Sequence, residues 1–144
     1  MVGKNLFQSY FDSHFQTKED VYEWIAEHTS QQRLTVIDQF EEREKAGSFL
    51  IAEHVVLPHI ESEEVEESQI MMFRLAKPFD WDQESTDVQL IIALVLKKDE
   101  EIGTKKKISL FMRSLADEAF IDELLHAEET TFHQKIIQFQ EERS

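Results

Sequence analysis

The nine residues Val88–Leu96 are apolar except for Gln89, and this segment constrains the fold more than any other. A strand with one solvated face alternates apolar and polar side chains, whereas a continuous apolar run is typical of a strand covered on both faces. The segment is also too short for a membrane-spanning helix, which needs about 20 apolar residues. It therefore predicts a central β-strand with other elements packed on both sides.

Helical patterns precede this strand. Thr17 is placed to cap a helix that ends near His28, because a threonine before acidic residues is a common helix start. The segment Leu34–Lys45 predicts a second helix, which Gly47 ends. The inward residues of the two helices are Val21, Trp24, Ile25, Val36, Ile37 and Phe40. Further upstream, Phe7, Phe11 and Phe15 are four residues apart, which predicts a helical stripe, with an extended start as the alternative.

Short segments rich in branched residues indicate strands between the helical regions. They are Ser48–Ile51, His54–Leu57 and Gln69–Leu75, with Pro78 closing the last one and an acidic loop over Glu61–Glu67. Helical spacing returns after the charged stretch Lys97–Lys107: one helix holds Ile108 to Leu115, Asp117 caps a second, and a third holds Phe132 to Phe139. The order predicts one α/β domain over residues 1–144, with a small mixed β-sheet flanked by helices.

Composition excludes several classes of function. The net charge of −15 repels phosphate backbones and anionic membranes, so we expect neither nucleic-acid binding nor membrane insertion. The chain has no cysteine, which excludes disulfides, cysteine catalysis and thiolate metal sites and fits a cytoplasmic protein.

His59 and Arg43 form the candidate catalytic pair. A short apolar run, Val55–Leu57, delivers Pro58-His59 to the expected end of a strand, and Arg43 lies near the end of the second predicted helix. A neutral imidazole is a good nucleophile at physiological pH. A guanidinium suits phosphate oxygens, whose negative charge grows during phosphoryl transfer. The pair therefore predicts a histidine that carries a phosphoryl group.

The same residues resemble the signature of the enzyme IIA domain of the mannitol/fructose class, from the bacterial phosphoenolpyruvate-dependent sugar phosphotransferase system. The most specific part runs from Glu42-Arg43-Glu44 through Ala46-Gly47-Ser48 to Pro58-His59. Weaker likenesses extend over most of the chain, at Lys77–Trp81, Val88–Leu96 and Leu115–Phe120. The resemblance implies a phosphotransferase that uses no cofactor and accepts phosphate on His59 from the phosphocarrier protein HPr. Arg43 matches the active-site arginine, and the implied downstream partner is a IIB domain or the other domains of a regulator.

Two positions depart from the family pattern. The family usually has a second histidine near position 104, where this chain has Gly103-Thr104-Lys105, and it favours glycines where this chain has Phe49–His54. These departures fit the IIA-like C-terminal domains of sugar-responsive transcriptional regulators, in which phosphorylation is a signal. Thr104 and His54 are then candidates for supporting positions beside the site, and Lys105 could face the phosphate in place of the missing histidine.

Other functions remain open from sequence. A IIA-like binding module without phosphorylation is the main alternative. A weaker one is a metal-dependent hydrolase that uses His54 and His59 with Glu53 or Glu61. We expect no metal site, because five residues along a strand put the two rings on opposite faces.

Overall fold

A computed structural model describes residues 6–141 and contains a mixed sheet with helices on both faces. In chain order the elements are β1 (Phe7–Ser13), α1 (Lys18–Thr29), α2 (Arg33–Ala46), β2 (Leu50–Ala52), β3 (Val55–Val56), β4 (His59–Ser62), β5 (Gln69–Phe79), β6 (Val88–Lys97), α3 (Ile102–Ser114), α4 (Glu118–His126) and α5 (Glu129–Glu141). The predicted α/β class, with a mixed sheet flanked by helices, is confirmed.

Strand β6 lies at the centre of the sheet, as its apolar sequence predicts. The strand order is β1-β5-β6-β3-β2, and β4 also pairs with β6, beyond the end of β3. β5 is antiparallel to β6, whereas β3 and β4 are parallel to it. At one edge β1 runs parallel to β5, and at the other β2 runs antiparallel to β3.

Alternate residues of the central strands face two separate hydrophobic cores, one on each side of the sheet. Ile91, Ala93 and Val95 of β6 face the core that holds α1 and α2. Leu90, Ile92 and Leu94 face the core that holds α3, α4 and α5. All these side chains are at most 4% exposed, which is the physical reason that β6 carries apolar residues at consecutive positions.

Helix boundaries largely follow the predicted caps. Thr17 accepts a hydrogen bond from the backbone N–H of Asp20, whose carboxylate in turn accepts from the N–H of Thr17. Such a reciprocal box satisfies N–H groups that have no partner within the helix. Asp117 caps α4 by accepting from the N–H of Ala119, without the reciprocal bond seen at Thr17, and Gly47 is the C-cap of α2. No helix within residues 6–141 is long and apolar enough to cross a membrane.

The helical reading of the first aromatic stripe is wrong, and the extended alternative is correct. Residues Phe7–Ser13 form β1, paired with β5. A spacing of four is an even number, so it places Phe7 and Phe11 on one face of a strand as well as of a helix. Both rings pack on the α3–α5 side, whereas Phe15 packs on the other side. Between them Asp12 has a positive φ of 57°.

Three boundary predictions are also wrong. β5 continues through Pro78 to Phe79, because Pro78 is exposed and lies where the register with β6 is already interrupted. α3 begins at Ile102, within the stretch predicted as a charged connection. The predicted strand His54–Leu57 is shortened to Val55–Val56, and His59, expected just past its end, instead begins the short strand β4, which extends into the predicted acidic loop.

Candidate functional site

A contact with the main chain two residues upstream holds the His59 ring in one orientation. It is the first residue of β4 and pairs with Leu94 of the central strand. Its Nδ1 lies 2.7 Å from the carbonyl oxygen of Leu57. A carbonyl only accepts hydrogen bonds, so Nδ1 must carry the proton. In the neutral ring the lone pair is therefore on Nε2, the atom that points away from this carbonyl.

Arg43 faces that lone pair. It lies in the last turn of α2, and its Nη2 is 3.3 Å from Nε2 of His59. Its Nη1 donates to the carbonyl oxygen of Gly47, the C-cap of the same helix, at 3.3 Å. The guanidinium therefore closes the end of α2 with one nitrogen and reaches the imidazole with another. Sequence alone placed these residues 16 positions apart, and the packing of α2 against β4 brings them together.

Phe49 contacts both candidate side chains, His59 and Arg43, and sequence reasoning did not assign it a role at the site. Its ring is 1% exposed and lies 5.4 Å from the His59 ring, centroid to centroid. The Arg43 guanidinium carbon is 5.4 Å from the same ring centroid, within the range of a cation–π contact. The available signal was an aromatic residue directly after the Gly47-Ser48 turn. The ring provides an apolar wall against which both charged or chargeable groups are positioned.

Glu44, next to Arg43, anchors α2 to its surroundings. One carboxylate oxygen accepts from the Lys18 ammonium at 3.1 Å and from the Tyr22 hydroxyl at 2.7 Å. The other accepts from the indole N–H of Trp81 at 2.8 Å. Burial, together with the hydrogen bond to the Glu44 carboxylate, raises the pKa of Tyr22 well above its ordinary value. This network fixes the helix turn from which Arg43 projects.

The arrangement places a candidate nucleophile, the His59 imidazole, beside a cation, the Arg43 guanidinium. Nε2 is a lone-pair nitrogen, the ring is half-buried, and a guanidinium with several N–H donors stands next to it. Attack on phosphorus would place phosphate oxygens where the guanidinium can bind them. Within residues 6–141 no group of three or more His, Asp or Glu side chains is arranged to hold a metal ion.

The structure does not bring His54 to His59. The main-chain carbonyl of His54 accepts from the backbone N–H groups of Gln89 and Leu90, whereas His59 pairs with Leu94. Four or five residues along a strand correspond to about 15 Å. The His54 ring instead contacts the Asp87 carbonyl oxygen at 2.8 Å and the Glu53 carboxylate at 3.2 Å.

Thr104 and Lys105 lie in the first turn of α3. Thr104 is half-buried and shares the inward face of the helix with Ile108 and Phe111, whereas Lys105 is exposed. Over the described part of the chain, no hydrogen bond or ion pair links either residue to His59. The structure therefore shows no direct contact through which Thr104 or Lys105 would support the His59 ring.

Comparison with known proteins identifies the family. The sequence model of "Phosphoenolpyruvate-dependent sugar phosphotransferase system, EIIA 2" matches residues 5–139. The match covers nearly the whole chain and includes Arg43, Phe49 and His59. The chain belongs to this family of enzyme IIA domains, as the Arg43 to His59 signature predicted.

Individual relatives agree with this assignment. The chain is 36% identical over 75 residues to the multiphosphoryl transfer protein of Shigella flexneri, which corresponds to 52% of this chain and 9% of that protein. The match to multiphosphoryl transfer protein 1 of Escherichia coli strain K12 is 35% identical over 75 residues, with the same coverage. The matched region is therefore a small part of these much longer relatives.

Solved structures share the fold at low sequence identity. The nitrogen regulatory protein IIA-Ntr from Neisseria meningitidis superposes with a TM-score of 0.71 at 16% identity, over 92% of this chain and 96% of that one. The mannitol IIA protein from Escherichia coli gives 0.62 at 16% identity, over 95% and 99%. The IIA component of its complex with phosphorylated mannitol IIB gives 0.59 at 14% identity, over 95% and 96%.

Proposed function

We propose that this protein is a phosphoryl carrier that accepts a phosphoryl group on Nε2 of His59 from phosphorylated HPr. The single observation that supports this most is the Leu57 carbonyl bound to Nδ1, which leaves the lone pair on Nε2 beside Arg43. Family membership supplies the reaction class. The identity of HPr as the donor comes from the resemblance of the Arg43 to His59 signature.

The transfer conserves electrons and charge in a simple manner. The Nε2 lone pair of His59 attacks phosphorus, an N–P bond forms, and the N–P bond to the donor imidazole breaks with its electron pair returning to that ring. The His59 ring gains positive character, which the hydrogen bond from Nδ1 to the Leu57 carbonyl stabilises. During transfer the Nη2 of Arg43 leaves Nε2 of His59 and binds the oxygens of the phosphoryl group. The Nη1 of Arg43 keeps its hydrogen bond to the Gly47 carbonyl and holds the guanidinium beside the ring.

We further propose that residues 1–144 form one IIA-like domain that acts in the cytoplasm, either as the regulatory module of a transcriptional regulator, in which phosphorylation is a signal, or as a divergent transport component. Thr104 in place of a second histidine supports the regulatory role. The receiver would be a IIB domain or another domain of the same regulator. The acidic segment Glu61–Glu67 begins two residues after His59, and negative charge near the ring would repel a bound phosphate and favour onward transfer.

A binding module without phosphorylation is the second candidate. The observation that favours it is the half-buried Thr104 on the inward face of α3, which offers no imidazole to support a phosphorylated ring. Such a module would recognise HPr or a IIB domain through the same surface without forming an N–P bond.

Intact-mass spectrometry after incubation with phosphoenolpyruvate, enzyme I and HPr tests the proposal. We expect one phosphoryl addition in the wild type, none in His59→Ala, and full addition in the matched control His54→Ala. The bond should be labile in acid and stable in alkali, as a phosphoramidate is. Retained labelling in His59→Ala contradicts the assignment of the acceptor. No labelling of the wild type, with saturable binding of HPr, supports the binding module instead.

Arg43→Met tests the role of the guanidinium. A charge-assisted hydrogen bond contributes about 1.5–3 kcal/mol, so we expect transfer to be slowed by roughly ten- to a hundredfold. Quench-flow labelling against the matched control Arg33→Met, a residue that pairs with Glu23 elsewhere, measures the ratio. Equal rates in the two variants would remove Arg43 from the proposed mechanism.

A further inference from the structure

The helix α3 presents a basic and apolar face on a strongly acidic protein. The helix contains four cations and no carboxylate, whereas the whole chain carries a net charge of −15. Lys107 turns to α5, where its ammonium donates to the carbonyl of Gln140. The remaining cations, Lys105, Lys106 and Arg113, are exposed, and none of them forms an ion pair with any carboxylate of residues 6–141.

This α3 face also carries apolar side chains in the pattern of a docking helix. Ile102, Leu110 and the three cations lie at helical spacings that share one side. Ile102 is 72% exposed, more than any other large hydrophobic residue of the described part of the chain. Together with Leu110 and the aliphatic stems of Lys105 and Lys106, Ile102 forms an apolar strip bordered by positive charges, which is the basis for considering this side of α3 as a docking surface.

A groove of opposite charge lies between the edge strand β2 and the start of α4. It has a volume of about 540 Å³, with Ile51, Leu115 and Leu125 among its apolar lining residues. Its rim carries three carboxylates, from Glu53, Glu118 and Asp122, and no described cation lines it. Ile51 is 41% exposed on the edge strand of the sheet.

We propose that the α3 face of one copy of this chain docks in the α4 groove of a second copy. The two surfaces match in three respects: three cations face three carboxylates, each surface has an exposed isoleucine, and a helix face meets a concave groove. The groove borders Leu115, directly after the end of α3. Both contacts can therefore form reciprocally in one pair about a twofold axis, the common arrangement of homodimers.

The charges of the rest of the molecule select this pairing. Two chains with a net charge of −15 repel each other in most orientations, and an orientation that places the basic α3 face against a carboxylate rim reduces this repulsion. Each surface comprises few residues, so we expect a weak dimer with a dissociation constant on the order of 100 µM. The proposal does not depend on phosphorylation of His59.

Sedimentation equilibrium of the wild type up to about 1 mM tests whether a dimer forms at the affinity expected of a small interface. We expect K105E/K106E to raise the dissociation constant by at least about tenfold, because exposed ion pairs become repulsions in both contacts. The matched control K77E/K98E has the same net charge and lies outside both surfaces, so it should dimerise like the wild type. A monomeric wild type, or equal weakening in the control, overturns the proposal.

A mixing experiment distinguishes specific docking from general charge effects. E53K/D122K makes both surfaces basic, and K105E/K106E makes both acidic, so neither variant should dimerise alone. An equal mixture restores opposite charges in both contacts, and we expect heterodimers with a dissociation constant within about threefold of the wild type. Circular dichroism confirms that each variant is folded. A mixture that stays monomeric while the wild type dimerises would contradict the assignment of these two surfaces.

Discussion

Replacing Glu44 by glutamine removes the anchor of α2 without changing the size of the side chain. The carboxylate has a side-chain exposure of 13% and accepts three hydrogen bonds, from Lys18, Tyr22 and Trp81. An amide has one acceptor oxygen and one donor group. The Trp81 indole and the Lys18 ammonium can only donate, whereas the Tyr22 hydroxyl can also accept. If the amide oxygen keeps the indole N–H, the amide nitrogen faces the Tyr22 hydroxyl, which can accept from it, and the Lys18 ammonium, which loses its acceptor.

The expected loss of stability follows from these partners. Hydrogen bonds to a charged group contribute about 1.5–3 kcal/mol each, and the Tyr22 hydroxyl can rotate to accept from the new amide, which recovers part of the loss. We therefore expect Glu44→Gln to lower the free energy of unfolding by about 2 kcal/mol. For a chain of this length, that corresponds to a decrease in Tm of roughly 6 °C.

Urea denaturation followed by tryptophan fluorescence measures this change. The matched control is Glu42→Gln, whose side chain is 62% exposed and pairs only with Lys45, so it should cost less than about 0.5 kcal/mol. An unchanged slope of free energy against urea in both variants shows that the folded and unfolded states are otherwise comparable. If Glu44→Gln and Glu42→Gln differ by less than about 0.5 kcal/mol, the network does not anchor α2 as argued.

Three further results are expected. Burial raises the pKa of both Tyr22 and Tyr10, so the stability that these groups contribute is constant below the ordinary tyrosine pKa of about 10 and falls as pH rises above it. Absorbance at 295 nm should show ionisation of Tyr22 only as the protein unfolds, and reversible ionisation of both tyrosines at about pH 10 would contradict this. Arg74→Met should cost about 1–2 kcal/mol, because Nη1 donates to two carbonyls at the end of α4 at 2.9 and 2.8 Å; thermal unfolding beside Lys77→Met, an exposed control, measures it. Thr17→Ala should cost about 1 kcal/mol through the lost capping box, and Thr17→Ser should restore most of it; a null effect of the alanine variant in urea denaturation would exclude the cap as a stabilising contact.

The site was predictable from sequence to the extent that its chemistry depends on residue type. Pro58-His59 and Arg43 were identified because an imidazole and a guanidinium in a recognisable spacing suit phosphoryl transfer. Phe49 was not, since its role depends on a ring lying 5.4 Å from each of two groups that are remote in sequence. Thr104 was predicted to support the site from its position in the family pattern, and His54 from its nearness along the chain. The structure shows no direct contact of either residue with His59.

Local sequence patterns determined some elements of secondary structure but not others. The run Val88–Leu96 determined a doubly covered strand by itself, because a continuous apolar sequence has no other stable position in a small sheet. The spacing of Phe7 and Phe11 did not determine β1, because four residues fit both a strand and a helix, and the pairing with β5 decided between them. The acidic loop is shorter than predicted because His59–Ser62 pairs with β6 as a parallel strand.

The sequence by itself therefore determined the class of fold, the caps of α1 and α4, and the residue types of the candidate nucleophile and cation, because these depend on periodicity and on side-chain chemistry. Only the tertiary structure decided which nitrogen of His59 is free, that Arg43 faces it, and that the α3 face and the α4 groove carry opposite charges. Each of those depends on distances between residues far apart in the chain, and a pattern read along one dimension does not contain them.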